Sequence, residues 1–251
     1  MDTMQTLLEH RSIRKFKNTV IEEKILNQIL EAGFRASTTG NMQVYSIIVT
    51  KEEERKEELY KFHFGQAMVK EAPVVLTFCA DFNRFNKWCE QRNAEPGYDN
   101  FLSFMTAAID ALLVAQNVAV AAESFGLGIC YLGTTIYMAD KIIDFLKCPK
   151  GVIPITTLVV GYPDENPELV DRLPSKGIVH NEFYCDYSNQ DIDEIYKEKE
   201  ALPLTKKLIE ENQLENLAQI FTNKRYTKKD NVHFSKSFLK VIENAGFMNN
   251  E

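Results

Sequence analysis

Apolar and polar positions along the chain follow two periods. Ile21, Ile25, Ile29 and Leu30 fall at helical spacing within residues 21–35. The polar run Ser37-Thr38-Thr39-Gly40-Asn41 breaks that helix, and YSIIVT over 45–50 then has the β-branched composition of a strand. Residues 52–62 read as a helix with a mixed acidic and basic face. PVVLTFCA over 73–80 reads as a fully apolar strand, ICYLG after Gly128 as a short one, and IPITTLVVG over 153–161 as a longer one. Short helices are predicted over 2–9 and 138–147. Helices and apolar strands therefore alternate, the pattern of an α/β or α+β sandwich. After Pro163 the chain turns polar, and beyond about residue 190 it predicts two or three helices with weak apolar stripes. The division expected is a core over residues 1–185 and a helical C-terminal extension over 186–251, too thin in apolar residues for a core of its own.

Residues 101–124 form the longest apolar stretch. About 20 apolar residues suffice to cross a bilayer. Asp110, Gln116, Asn117 and Glu123 interrupt this one, and such groups oppose insertion. The reading is a helix buried all round, in a core or a subunit interface, with no membrane partner.

Composition narrows the function classes. The chain has 251 residues, 29 Lys plus Arg against 36 Asp plus Glu, and a formal charge of −7. That balance argues against general nucleic-acid binding. Cys79, Cys89, Cys130, Cys148 and Cys185 are odd in number and form no C-x-x-C pair. They predict free thiols in a reducing compartment, the cytoplasm, rather than a disulfide framework or zinc site. The first residues lack the apolar region of a secretory leader.

Three segments could carry chemistry. In HRSIRKF over 10–16, cations crowd into an otherwise acidic protein. Arginine offers planar donors to phosphate, and Arg11 and Arg14 would share a face on a helix end. The Ser37–Asn41 loop has a glycine beside hydroxyls, suited to close backbone approach to a ligand. GLGICYLGT over 126–134 can expose backbone N–H groups. Hydrolytic motifs such as G-x-S-x-G and H-E-x-x-H are absent from the sequence. His10, His63, His180 and His233 show no metal-ligand spacing, so no metal site is expected, and His63 reads as a surface or interface residue.

These segments, in this order, together with FCADFNR over 78–84, AAESFGLG over 121–128 and GYPDENPELVDRLP over 161–174, resemble the nitroreductase family. The resemblance runs from about residue 6 to 185 and is strongest to the NADPH-dependent, oxygen-insensitive nitroreductase and flavin reductase P branch. It implies an α+β sandwich assembled as an intertwined homodimer, with FMN as cofactor at the interface and NADPH or NADH as electron donor. His10, Arg11 and Ser12 match contacts to the flavin phosphate and ribityl chain, and Arg14 the cation at the pyrimidine edge. Thr38 matches a hydroxyl from the partner chain's loop, Gln66 an amide donor to the flavin, and Tyr131, Leu132, Gly133 and Thr134 the backbone turn facing the ring. Arg172 matches a distal phosphate arginine. Lys224 and Arg225, in the extension, match a basic mobile loop that takes the nicotinamide 2′-phosphate. Val170 stands where close relatives often carry a lysine, and Thr134 where they carry a second glycine.

The implied reaction is a ping-pong transfer of hydride to nitroaromatics, quinones or free flavin, with no catalytic acid or base. Reductive dehalogenation, an oxygen-dependent flavin reaction and non-enzymatic flavin binding are the alternatives on the same scaffold.

Overall fold

The computed structural model describes residues 2–250. Two compact units divide them. The first runs to Glu168 and resumes at Phe234, and the second is Leu169–His233. The boundary drawn from the sequence, after residue 185, falls inside the second unit.

The first unit is a four-stranded antiparallel sheet between helical layers. Its elements are α1 (Thr3–Leu8), α2 (Glu23–Phe34), β1 (Tyr45–Thr50), α3 (Glu53–Phe62), α4 (Met68–Glu71), β2 (Val74–Asp81), α5 (Asn83–Gln91), α6 (Phe101–Ser124), β3 (Gly128–Leu132), α7 (Ala139–Leu146) and β4 (Val152–Gly161). The strand order is β1-β2-β4-β3. Strand side chains alternate between faces, and β2 shows how that builds two cores. Val74, Leu76 and Phe78 pack with α2 and α6, on Ile29, Val114 and Val118. Val75 packs on the other face with Leu59 of α3 and with Met68 and Val69 of α4. A further apolar cluster joins Phe82 and Phe104 to Val241, Ile242 and Phe247 near the C-terminus.

The fold is the α+β sandwich expected. The predicted strands and longer helices lie within a residue or two of their expected positions; α4 and α5 were not anticipated. The helix over 52–62 has the mixed acidic and basic face expected, yet Lys56 is only 2% exposed. Its Nζ donates to the carbonyl oxygens of Lys70 (3.0 Å) and Ala72 (2.9 Å), closing the end of α4. α6 is as apolar as expected, but only half of its most apolar window is buried.

The second unit contains α8 (Asn189–Ala201), α9 (Pro203–Asn212) and α10 (Leu217–Ile220). A capping box at Ser188 and Asp191 starts α8. α11 (Lys228–Asn244) begins in this unit and continues into the first.

Candidate functional site

The basic segment does not lie on a helix end. It leaves α1 and runs extended along β3, where Ser12 bridges Ile129 in parallel and the Ile13 N–H donates to the Ile129 carbonyl at 2.8 Å. Gly128 permits this approach, since a Cβ there would stand 2.6 Å from Ile13 Cγ1. Backbone bonding to the sheet thus overrides the helical spacing of Arg11 and Arg14. His10 Nδ1 lies 2.6 Å from Glu123 Oε1, at the C-terminal end of α6. Burial pushes the Glu123 carboxyl up, and His10 opposes that shift. Arg11 Nη1 donates to Asn166 Oδ1 at 2.8 Å, while its Nε is buried with no partner. Glu165 Oε1 accepts from the backbone N–H groups of Arg14 (2.5 Å) and Lys15 (3.2 Å), and the Arg14 side chain is exposed.

The segment lies along the start of β3, and the turn that ends the strand carries the remaining candidates. Tyr131 donates its hydroxyl to Gln116 Oε1 at 3.4 Å, and burial, with Glu123 nearby, pushes that phenol up. Leu132 is buried. Gly133 is exposed, and a Cβ added to it would meet nothing within 4 Å. Thr134 Oγ1 lies 2.8 Å from His63 Nδ1 and accepts from Gln66 Nε2 at 3.3 Å.

His63 is therefore not a surface residue. It is fully buried at the C-terminal end of α3, and burial lowers its pKa to about 4. The loop after it turns through Phe64 (φ 54°) and Gly65 (φ 68°). At Gly65 a side chain would meet both that left-handed backbone and the Tyr60 hydroxyl, 3.2 Å from an added Cβ. Tyr137 stacks on Phe64 and on Phe234 (centroids 6.4 and 4.4 Å), tying the loop to the turn.

Thr38 stands elsewhere. Its loop hangs on Asp110, which is completely buried in the middle of α6 and accepts from the N–H groups of Thr39 (2.9 Å) and Val44 (3.3 Å). Asp110 and Glu123 are 13 residues apart on one helix, about 20 Å at 1.5 Å per residue. Within one chain, the Thr38 loop and His10 are tied to α6 about that far apart.

In the second unit, Arg172 is exposed and its Nη1 donates to the carbonyls of Val170 (3.1 Å) and Asp171 (3.0 Å). Lys224 and Arg225 are exposed on a π-helical turn, Phe221–Arg225, with the Arg225 guanidinium 5.9 Å above the Phe221 ring.

Sequence reasoning missed the supports: Asp110, Glu123, Asn166, Glu165 and His63. Asp110 had a signal, because an acid inside an apolar helix needs partners when buried. No group of residues able to hold a metal occurs among the described residues.

The chain belongs to the nitroreductase family: residues 7–162 match the model of that family. The FMN reductase (NADPH) of Bacillus subtilis (strain 168) is 35% identical over 185 residues, covering 73% of this chain and 74% of that protein. A provisionally assigned oxidoreductase from Bacteroides fragilis NCTC 9343 has a crystal structure that superposes with a TM-score of 0.96, at 56% identity over 98% of this chain and all of that one. The NADPH:FMN oxidoreductase of Vibrio harveyi, solved with NAD+, superposes with a TM-score of 0.79 at 29% identity, covering 94% and 97% of the two chains.

Proposed function

We propose that the protein is an FMN-dependent NAD(P)H oxidoreductase of the cytoplasm, acting as a homodimer on nitroaromatics, quinones or free flavins. Family membership and the flavin reductases among the relatives support the reaction class. The observation that carries the cofactor assignment is the segment 10–14, laid on β3 with the Arg11 Nε buried and unpartnered. A buried donor of that kind costs about 1–3 kcal/mol unless an acceptor meets it. A phosphate oxygen would satisfy it, and the donors of His10, Arg11 and Ser12 suit a phosphate dianion; the role of Arg172 is carried over from the family resemblance. The open space over Gly133 suits a flat ring.

Bound FMN supplies a two-electron carrier between the nicotinamide and the acceptor. The protein binds and orients it. Arg14 places an exposed positive charge for the pyrimidine edge. Tyr131, Leu132, Gly133 and Thr134 line the ring with a backbone turn, and Gln66 supports that turn by donating its amide N–H groups to the His63 carbonyl and Thr134 Oγ1. Lys224 and Arg225 are assigned to the 2′-phosphate of NADPH. No side chain of the set is assigned proton transfer.

The separation of Thr38 from His10 supports a dimer, in which Thr38 completes the partner's site. α6 also exposes one apolar face, with Leu102, Met105, Ile109, Leu112 and Leu113 each 39% exposed or more. A second copy would cover it, and obligate interfaces commonly bury more than about 2,000 Å². The first unit carries the cradle and includes the end of the chain, where Val241, Ile242 and Phe247 pack on Phe82 and Phe104, and the rest of the extension is assigned to the partner subunit.

The purified protein should be yellow and release one FMN per chain on denaturation. NADPH should bleach it anaerobically, faster than NADH at equal subsaturating concentration. Recovery of FAD alone, or a protein that cannot be loaded with FMN, would overturn the cofactor assignment. An FMN-loaded protein that neither nucleotide reduces would overturn the enzyme assignment.

A further inference from the structure

The corner made by His63, Gln66 and Thr134 has a hydrogen-bond arithmetic of its own. Thr134 Oγ1 has two lone pairs and one proton. Gln66 Nε2 donates to one lone pair at 3.3 Å, and the same amide lies 3.1 Å from the His63 carbonyl oxygen, which holds it in place. His63 Nδ1, at 2.8 Å, is the second partner. The ring is completely buried and its Nε2 meets no partner. Burial keeps it uncharged at neutral pH, so one nitrogen carries a proton and the other does not.

The two tautomers are not equivalent. A proton on Nε2 would leave a buried N–H without an acceptor, and orphaned buried N–H groups are rarer in proteins than under-used acceptors. A proton on Nδ1 leaves only a lone pair orphaned. Nδ1–H then donates to Thr134 Oγ1. With Gln66 on the other lone pair, the hydroxyl can no longer accept, and its proton must point away from both. Thr134 is half-buried and stands next to the exposed Gly133.

We propose that His63 is a positioning residue whose Nδ1–H tautomer, together with the Gln66 amide, makes the Thr134 hydroxyl an obligate hydrogen-bond donor toward the ring of bound FMN. The inference rests on the cofactor reading above. Its consequence is electrostatic. A donor fixed before reduction costs no reorganisation when the ring gains electron density, so it favours the reduced cofactor.

The test uses the FMN-loaded full-length protein and three readouts: FMN dissociation constant, two-electron midpoint potential by anaerobic dye equilibration, and 15N–1H spectra of histidine-labelled protein. In the wild type the His63 resonance should report a protonated Nδ1 and bare Nε2. Thr134→Val should weaken binding of the reduced cofactor relative to the oxidised one by about tenfold, a fall of about 30 mV for a two-electron couple. His63→Leu should give the same fall, and the double variant no more than either alone. Thr134→Ser, and His63→Asn with its amide N–H in place of Nδ1–H, should restore most of the wild-type potential. Should His63→Leu not fold, the Thr134 pair and the tautomer decide the matter.

A protonated Nε2, a wild-type potential in Thr134→Val, or additive effects in the double variant would overturn the proposal while leaving bound FMN in place. A wild type that takes up no FMN would overturn the cofactor reading, and this inference with it.

Discussion

The 10–14 segment and the 63–66 loop are both irregular and meet β3 at its start and just beyond its end, yet they are held by opposite means. The first is partly buried and is fixed by polar and backbone pairing: His10 on Glu123, Arg11 on Asn166, Glu165 on the N–H groups of Arg14 and Lys15, and Ile13 on Ile129. The second turns on an uncharged, fully buried ring. Exposed charged groups can be retuned by solvent and salt. A buried neutral group resists both, until a proton forces it to ionise. One site thus combines a compliant half with a half that responds to acid.

The largest expected effect separates the halves by pH. His63 has an ordinary pKa of 6.5 and a folded value of about 4. The unfolded chain therefore binds a proton that the folded chain refuses, and stability falls as pH drops from 6.5 toward 4. At 1.36 kcal/mol per unit the total is about 3 kcal/mol. Urea unfolding at pH 7 and pH 4.5 should show this component in the wild type and lack it in His63→Asn, with the carboxylate contribution common to both. Equal pH slopes in the two proteins would mean that the buried half is not the acid-sensitive one.

The next effect strikes the charged half through sterics. Gly128→Ala puts a methyl 2.6 Å from Ile13 Cγ1 and 2.8 Å from its Cβ. Overpacking of this kind costs about 1–3 kcal/mol. It should lift residues 12–14 off β3 and weaken FMN retention, measured by thermal unfolding and ultrafiltration, while the histidine signal of His63 stays in place. A parallel loss of the His63 signal would show that the halves move together.

The smallest effect on stability belongs to Arg14→Ala. The side chain is exposed, and its Nη1 donates to the Ser12 carbonyl at 3.5 Å. Stability should shift by no more than about 0.5 kcal/mol. The FMN potential should fall, with affinity little changed. Arg172→Ala should do the reverse, lowering affinity by about 1.5–3 kcal/mol, the scale of a charged hydrogen bond. Titration with FMN and potentiometry distinguish the two.

The same contrast explains what could be read in the sequence. Cations at 10–15 stand out in an acidic chain, so the segment was visible, although its conformation was not: spacing suggested a helix end, and pairing with a strand more than 100 residues away decided otherwise. α2, α6 and the four strands were legible because their apolar patterns are long and regular. α5 was not, since NRFNKWCEQ is mostly polar and shows its burial only at Cys89. The His63 corner was invisible for a different reason. His63 and Thr134 are 71 residues apart, and a single histidine at a helix end, even between Phe62 and Phe64, carries no periodicity that would announce its burial. Asp110 and Glu123 were seen only as breaks in an apolar run, whereas they fasten the Thr38 loop and His10 to the helix.

That helix also limits how the chain can vary. Between Asp110 and Glu123 it behaves as a ruler with fixed graduations. Deleting one residue there would shift the far mark by 1.5 Å and rotate it by about 100°, carrying Glu123 away from His10 while Asp110 kept its loop. Length changes in this family member are therefore excluded from the thirteen-residue interval, however apolar and replaceable its individual side chains look, and are left to the connections beyond it.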